Sequence, residues 1–180
     1  MNRYSSMAIA TAVLLAFSAG LAQAQSQSAE ETSTKHAAVT VTPFVSLGSF
    51  VSSRVGAAIA FPLTDKVSLE AEFGYRRQEM SALSAHLSLL QDLPRLGRVT
   101  PYLAAGIGLE EYGVAVPQPD NRLATVPRTA LSVNAGGGVK VPVDDRWGVR
   151  TDARWFNGLG GQAGEHWRLF NGVTLKAGSR

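Results

Sequence analysis

Residues 131–156 read LSVNAGGGVKVPVDDRWGVRTDARWF, and their alternation decides the fold. Leu131, Val133, Ala135, Val139 and Val141 fall on one face of the first half. Ser132, Asn134, Gly136, Gly138 and Lys140 fall on the other. In the second half Trp147, Val149, Ala153 and Trp155 oppose Arg150, Asp152 and Arg154. A period of two marks a strand with unlike faces. The short polar link between the halves makes them an antiparallel hairpin.

The tryptophans bear on which face is inside. Trp147 and Trp155 are eight residues apart, about 26 Å along a strand. A tilt near ~40° reduces this to roughly 20 Å along a barrel axis, close to a ~25 Å lipid-facing band with aromatic girdles. In that setting the apolar face meets lipid and the charged face lines the lumen. In a soluble sheet the same tryptophans are core. The hairpin alone leaves both readings open.

The beginning of the chain favours the membrane. Arg3, the apolar run at residues 7–17 (MAIATAVLLAF) and Ala22-Gln23-Ala24 form a secretory signal peptide over residues 1–24. The run is short of the ~20 residues of a spanning helix. Residues 25–37 are polar and aperiodic, a flexible lead-in. Residues 38–180 form the barrel domain. There is no cysteine, so neither a disulfide framework nor a thiolate metal site is available. The net charge of +3 comes from 17 Lys and Arg against 14 Asp and Glu, too balanced for nucleic-acid binding. Hydrophobic residues make up 45% of the chain yet are dispersed, so the chain could cross a bilayer only as a closed barrel.

Outward from the hairpin, alternation recurs in residues 39–50, 55–61, 67–76, 83–89, 101–112 and 167–176, giving eight strands in all. Residues 81–90 also suit a helix, but strict alternation favours a strand. Residues 113–128 carry Pro117, Pro119 and Pro127 and read as the longest loop. An echo supports the count: Phe61-Pro62-Leu63-Thr64-Asp65-Lys66-Val67 resembles Val141-Pro142-Val143-Asp144-Asp145-Arg146-Trp147. The predicted fold is all-β, an eight-stranded antiparallel up-and-down transmembrane β-barrel. Short links at Pro62, Gln91 and Pro142 face the periplasm, and longer loops lie outside.

The signal segment, the eight alternating strands, the Gly-rich strand at 134–139, PVDDRWGVRTDARWF and the closing HWRLFNGVTLKAG together resemble a known group. It is the small outer-membrane β-barrel family, the OmpA/OmpX-like "porin family" proteins of Gram-negative bacteria. The resemblance implies residence in the cell outer membrane among lipid and lipopolysaccharide. It also implies delivery by the barrel-assembly machinery, and an extracellular partner would meet the outer loops.

An eight-stranded barrel has an interior just wide enough for side chains to fill. The register aims a charge network inward: Glu70, Glu72, Arg76, Lys140, Arg150, Asp152 and Arg154, with Glu110, Arg168 and Lys176 on the same parity. Tyr75, Trp147, Trp155 and Trp167 are the candidate aromatic girdle. No catalytic residue, metal ligand or cofactor is expected, and the reading is a non-enzymatic structural or surface-interaction protein. Two alternatives stay open. His86 and Ser88 share a strand face, as a lipid A-modifying hydrolase would need. A soluble periplasmic barrel would reverse the faces and hold an apolar ligand. His36 and His166 lack metal-ligand spacing. Gly136-Gly137-Gly138 precedes no helix pattern and marks a bend, or a place where a large neighbour crosses the strand.

Overall fold

The computed structural model describes residues 38–48, 53–76, 82–118, 122–159 and 164–177. The signal peptide and lead-in lie outside these residues, as does His36. Eight strands occupy the described chain: β1 (Val39–Gly48), β2 (Ser53–Pro62), β3 (Val67–Arg76), β4 (Ala82–Asp92), β5 (Thr100–Pro117), β6 (Leu123–Pro142), β7 (Trp147–Gly158) and β8 (Glu165–Ala177). Each pairs antiparallel with its sequence neighbour, and β1 pairs with β8 to close the barrel. Closure leaves no open sheet edge along the wall.

The wall is built inside out relative to a soluble sheet. Phe73, Leu83 and Ile107 are 59%, 58% and 58% exposed on the outer face. Glu70, Arg154 and Arg168 are 1%, 1% and 2% exposed within. The period-two alternation therefore puts apolar side chains outward and charged ones inward, which excludes the reversed arrangement.

The echoed links are the same turn made twice. The N–H groups of Leu63 and Thr64 donate to the Val67 carbonyl at 2.8 and 3.0 Å. Those of Val143 and Asp144 donate to the Trp147 carbonyl at 3.1 and 3.2 Å. In the first turn Thr64 Oγ1 accepts from the backbone of Lys66 and Val67 at 3.2 and 3.0 Å. In the second Asp144 Oδ1 accepts from Arg146 and Trp147 at 2.7 and 2.9 Å. Threonine and aspartate do the same work because each carries an acceptor within reach of the backbone two and three residues on. The Arg146 N–H, followed by that of Trp147, holds the exposed Asp144 carboxyl below the usual carboxylate range. A lowered folded value means this contribution is present at neutral pH and fades as pH falls through it. The third turn of this end closes through Leu96 and Val99, and Gly97 between them takes φ 63°, as a tight primed turn requires.

One expectation is overturned. Within the stretch 113–128, residues 113–117 and 123–128 are not loop but the ends of β5 and β6, paired from Gly113↔Pro127 to Pro117↔Leu123. β5 and β6 run to 18 and 20 residues, against 10 to 13 for the other strands. The two therefore continue as a ribbon past the rest of the wall. Val114, Val116 and Val126 suit a strand, and a two-stranded ribbon has a free edge on each strand where a proline sacrifices no ladder bond.

Candidate functional site

The lumen is where the sequence concentrates its charge. β3 supplies Glu70 and Glu72, and β7, on the opposite wall, supplies Arg150, Asp152 and Arg154. Their parity sends all five inward, and they meet across the axis. Arg150 binds Glu70 through Nη1, and its Nη2 reaches Asp152 Oδ2 at 2.8 Å. Arg154 Nη2 reaches Glu70 Oε1 at 2.7 Å, its Nε reaches Asp152 Oδ1 at 3.2 Å, and its Nη1 reaches Glu72 Oε2 at 3.4 Å. Two guanidinium groups thus bridge three carboxylates. Planar forks with several fixed donors suit this role better than lysine would.

Tyr102, on β5, completes this layer. Its hydroxyl donates to Asp152 and accepts from Arg150 Nε at 2.6 Å. The Arg150 guanidinium also lies 4.9 Å from the ring centre. Alternation alone does not single out Tyr102, although its even number shares the inward parity of Ala104 and Glu110. The Arg154 guanidinium sits 5.2 Å from the Phe170 ring. Phe44, Ala58, Phe156 and Phe170 form an apolar plug beside the charges. A cavity between them, lined by Thr42, Phe44, Glu72, Asp152, Arg154 and Phe170 among others, has about 10 Å³ free. That is about the room of one water.

Of the other proposed lumen charges, Lys140 reaches this layer at the Tyr102 ring, whose centre lies 5.0 Å from its Nζ. Lys140 pairs with Asp92 at 2.6 Å near the turn end. Lys176 is exposed at the same end. Arg76 sits at the loop end of β3, half-buried, with Nε lacking a hydrogen-bond partner among the described residues.

Near that end the lumen holds a second cluster around Glu110. Arg168 binds its Oε1, His86 Nε2 lies 3.4 Å from the same oxygen, and Arg54 Nη1 lies 3.9 Å from it. His166 Nε2 lies 3.6 Å from Oε2. Phe156 fills the space between, stacked with His166 at 5.3 Å and covered by the Arg168 guanidinium at 4.0 Å. Arg54 escapes the sequence pattern because it directly follows residues that read as a turn. In the structure it belongs to β2.

His86 and Ser88 do share a face, as their spacing predicts, but they do not pair. His86 Nε2 lies 3.0 Å from Ser132 Oγ on β6, and Ser88 Oγ donates to Asn134 Oδ1 at 3.2 Å. His86 Nδ1 lies 3.9 Å from Glu72 Oε1. Serine, histidine and glutamate are thus neighbours, yet all three are buried inside the closed wall.

On the outer face Trp155 and Trp167 are cross-strand partners near the loop end, and Tyr75 approaches that end of β3. Trp147 holds the turn end opposite Leu175, with exposed Phe61 at the same end of β2. The candidate girdle therefore divides into two belts.

Known proteins share this wall. It matches the N-terminal β-barrel domain of Pseudomonas aeruginosa OprF with a TM-score of 0.65 and 18% identity, covering 77% of this chain and 96% of that one. The Yersinia pestis outer membrane protein Ail matches at 0.51 and 9% identity, covering 78% and 99%. The fold is that of a small outer-membrane β-barrel. A de novo designed transmembrane β-barrel matches at 0.56 and 14% identity, covering 80% and 98%. A designed chain fits between these two natural ones, so the likeness carries the architecture and no activity. No family model and no curated protein sequence matches the chain.

Proposed function

We propose that this chain is a non-enzymatic protein of the Gram-negative outer membrane, a structural or surface-interaction barrel with a plugged lumen. The supporting observation is the inverted wall: apolar side chains fill the outer face while arginines and carboxylates at or below 7% exposure fill the inside. The turn end faces the periplasm, and the β5–β6 ribbon projects outward, where a surface partner would meet it.

Fractionation followed by electrophoresis with and without boiling tests this reading. The expected result is an outer-membrane band whose mobility changes on boiling. A soluble band without a heat shift would overturn it. Val149→Arg and Ala153→Arg sharpen the test. Both residues face outward on β7, and an arginine near the bilayer midplane costs about 2–4 kcal/mol. Each variant is expected to lose most of its heat-shifted band. Normal assembly of both would refute the lipid-facing assignment.

The hydrolase alternative has its own test. His86, Ser88 and Ser132 are 3%, 1% and 0% exposed within the wall, which gives a lipid no route to them. Ser88→Ala and Ser132→Ala are each expected to leave the lipid A mass spectrum identical to that of wild-type cells. A mass change in either strain would restore the enzymatic reading.

A further inference from the structure

Among the described residues the loop-end cluster does not balance its charge. Arg54, Arg76 and Arg168 converge there from β2, β3 and β8. The Val55↔Tyr75 pair sets Arg54 and Arg76 at neighbouring positions on β2 and β3, and β1, between β2 and β8, pairs with both Arg54 and Arg168 at this end. His86 and His166 line the same cluster beside Glu110. The carboxylate placed among them is Glu110. Glu72, 3.9 Å from His86 Nδ1, is also engaged by Arg154 at 3.4 Å. The central cluster sets two arginines against Glu70, Glu72 and Asp152, so among the described lumen residues the positive excess sits at the loop end.

The hydrogen bonds tell the same story independently. Arg76 Nε is buried with no hydrogen-bond partner among the described residues. Arg54 Nη1 has none either, its nearest carboxylate oxygen being Glu110 Oε1 at 3.9 Å, which Arg168 already engages. Arg54 and Arg168 are 7% and 2% exposed. Buried guanidinium donors left unmade are costly, because an unsatisfied charged group keeps its full desolvation penalty. A ligand with several acceptor oxygens and negative charge would answer both deficits at once.

We infer that the loop end of the lumen is a binding site for a small oxyanion of the phosphate class, held by Arg54, Arg76 and Arg168. The half-buried Arg76 and His166 mark its open side. The anion comes from solution, since the hydrogen-bonded wall separates the site from surrounding lipid headgroups. The inference does not depend on the outer-membrane reading, because the cluster lies inside the closed sheet in any setting.

The test is isothermal titration of the folded, detergent-purified protein with sodium phosphate, against sodium chloride at equal ionic strength. Saturable heat beyond the chloride control is expected. Arg76→Gln is expected to weaken phosphate binding about tenfold, the worth of one charge-assisted hydrogen bond. Lys140→Gln, at the opposite end, is expected to leave it unchanged. Arg54→Gln is expected to weaken it as Arg76→Gln does. If Arg54→Gln does not fold, the rim variant Arg76→Gln decides alone. No saturable heat above chloride, or equal weakening by Arg76→Gln and Lys140→Gln, would overturn the site.

Discussion

Arg154→Met is expected to destabilise the folded barrel by about 3–5 kcal/mol, the usual loss when one partner is removed from a buried ionic network. Arg154 touches Glu70, Glu72 and Asp152 and is 1% exposed. Without it, Arg150 faces the central carboxylates alone. Glu72 loses most, because its remaining neighbour in that direction is His86 at 3.9 Å. Methionine preserves much of the apolar stem that lies against Phe170, so the loss reports on charge more than on volume. Urea-induced unfolding in detergent micelles, followed by the boiling-dependent mobility shift, measures it. Glu70→Gln in the same chain removes one stranded carboxylate and is expected to restore part of the stability. A double-mutant cycle then gives the coupling. An Arg154→Met barrel within about 1 kcal/mol of wild type would mean that the central network does not hold the two walls together.

The inward charges of this network are legible in the sequence itself. Strand count, parity and the inward set at Glu70, Glu72, Arg150, Asp152 and Arg154 follow from period-two alternation, which is local. The twin turns at Thr64 and Asp144 can also be read locally, because each acceptor bonds its own backbone neighbours. Whatever depends on register between strands cannot. Spacing alone pairs His86 with Ser88, whereas pairing of β4 with β5, and β5 with β6, brings Ser132 to it. Tyr102 joins Arg150 and Asp152 only because β5 and β7 face the same narrow lumen. Pro117 and Pro127 mislead for a different reason. Proline marks loops where both strand edges are paired, but the β5–β6 ribbon leaves one edge of each strand free.

Gly138→Val is expected to prevent closure of the barrel, where the outward Ala135→Val is expected to be silent. A β-carbon at Gly138 would stand 2.3 Å from the Thr151 carbonyl oxygen and 2.7 Å from the Asp152 α-carbon. Both are backbone atoms of the paired strand β7, so no rotamer change relieves the clash. The same β-carbon would stand 2.3 Å from the Asp152 β-carbon, displacing the carboxylate that Tyr102, Arg150 and Arg154 share. The variant thus loses both wall and network, beyond the ~1–3 kcal/mol of ordinary overpacking. Ala135→Val adds two methyl groups to a face already apolar. The measurement is the heat-shifted fraction in the outer membrane at equal expression, expected near zero for Gly138→Val and near wild type for Ala135→Val. Gly138→Ala places the clashing atom alone, without valine's bulk. If both Gly138 variants assemble normally, β7 can yield at Asp152. In that case the glycine run would be a bend in the strand, and the crossing of Asp152 over it would not fix the lumen.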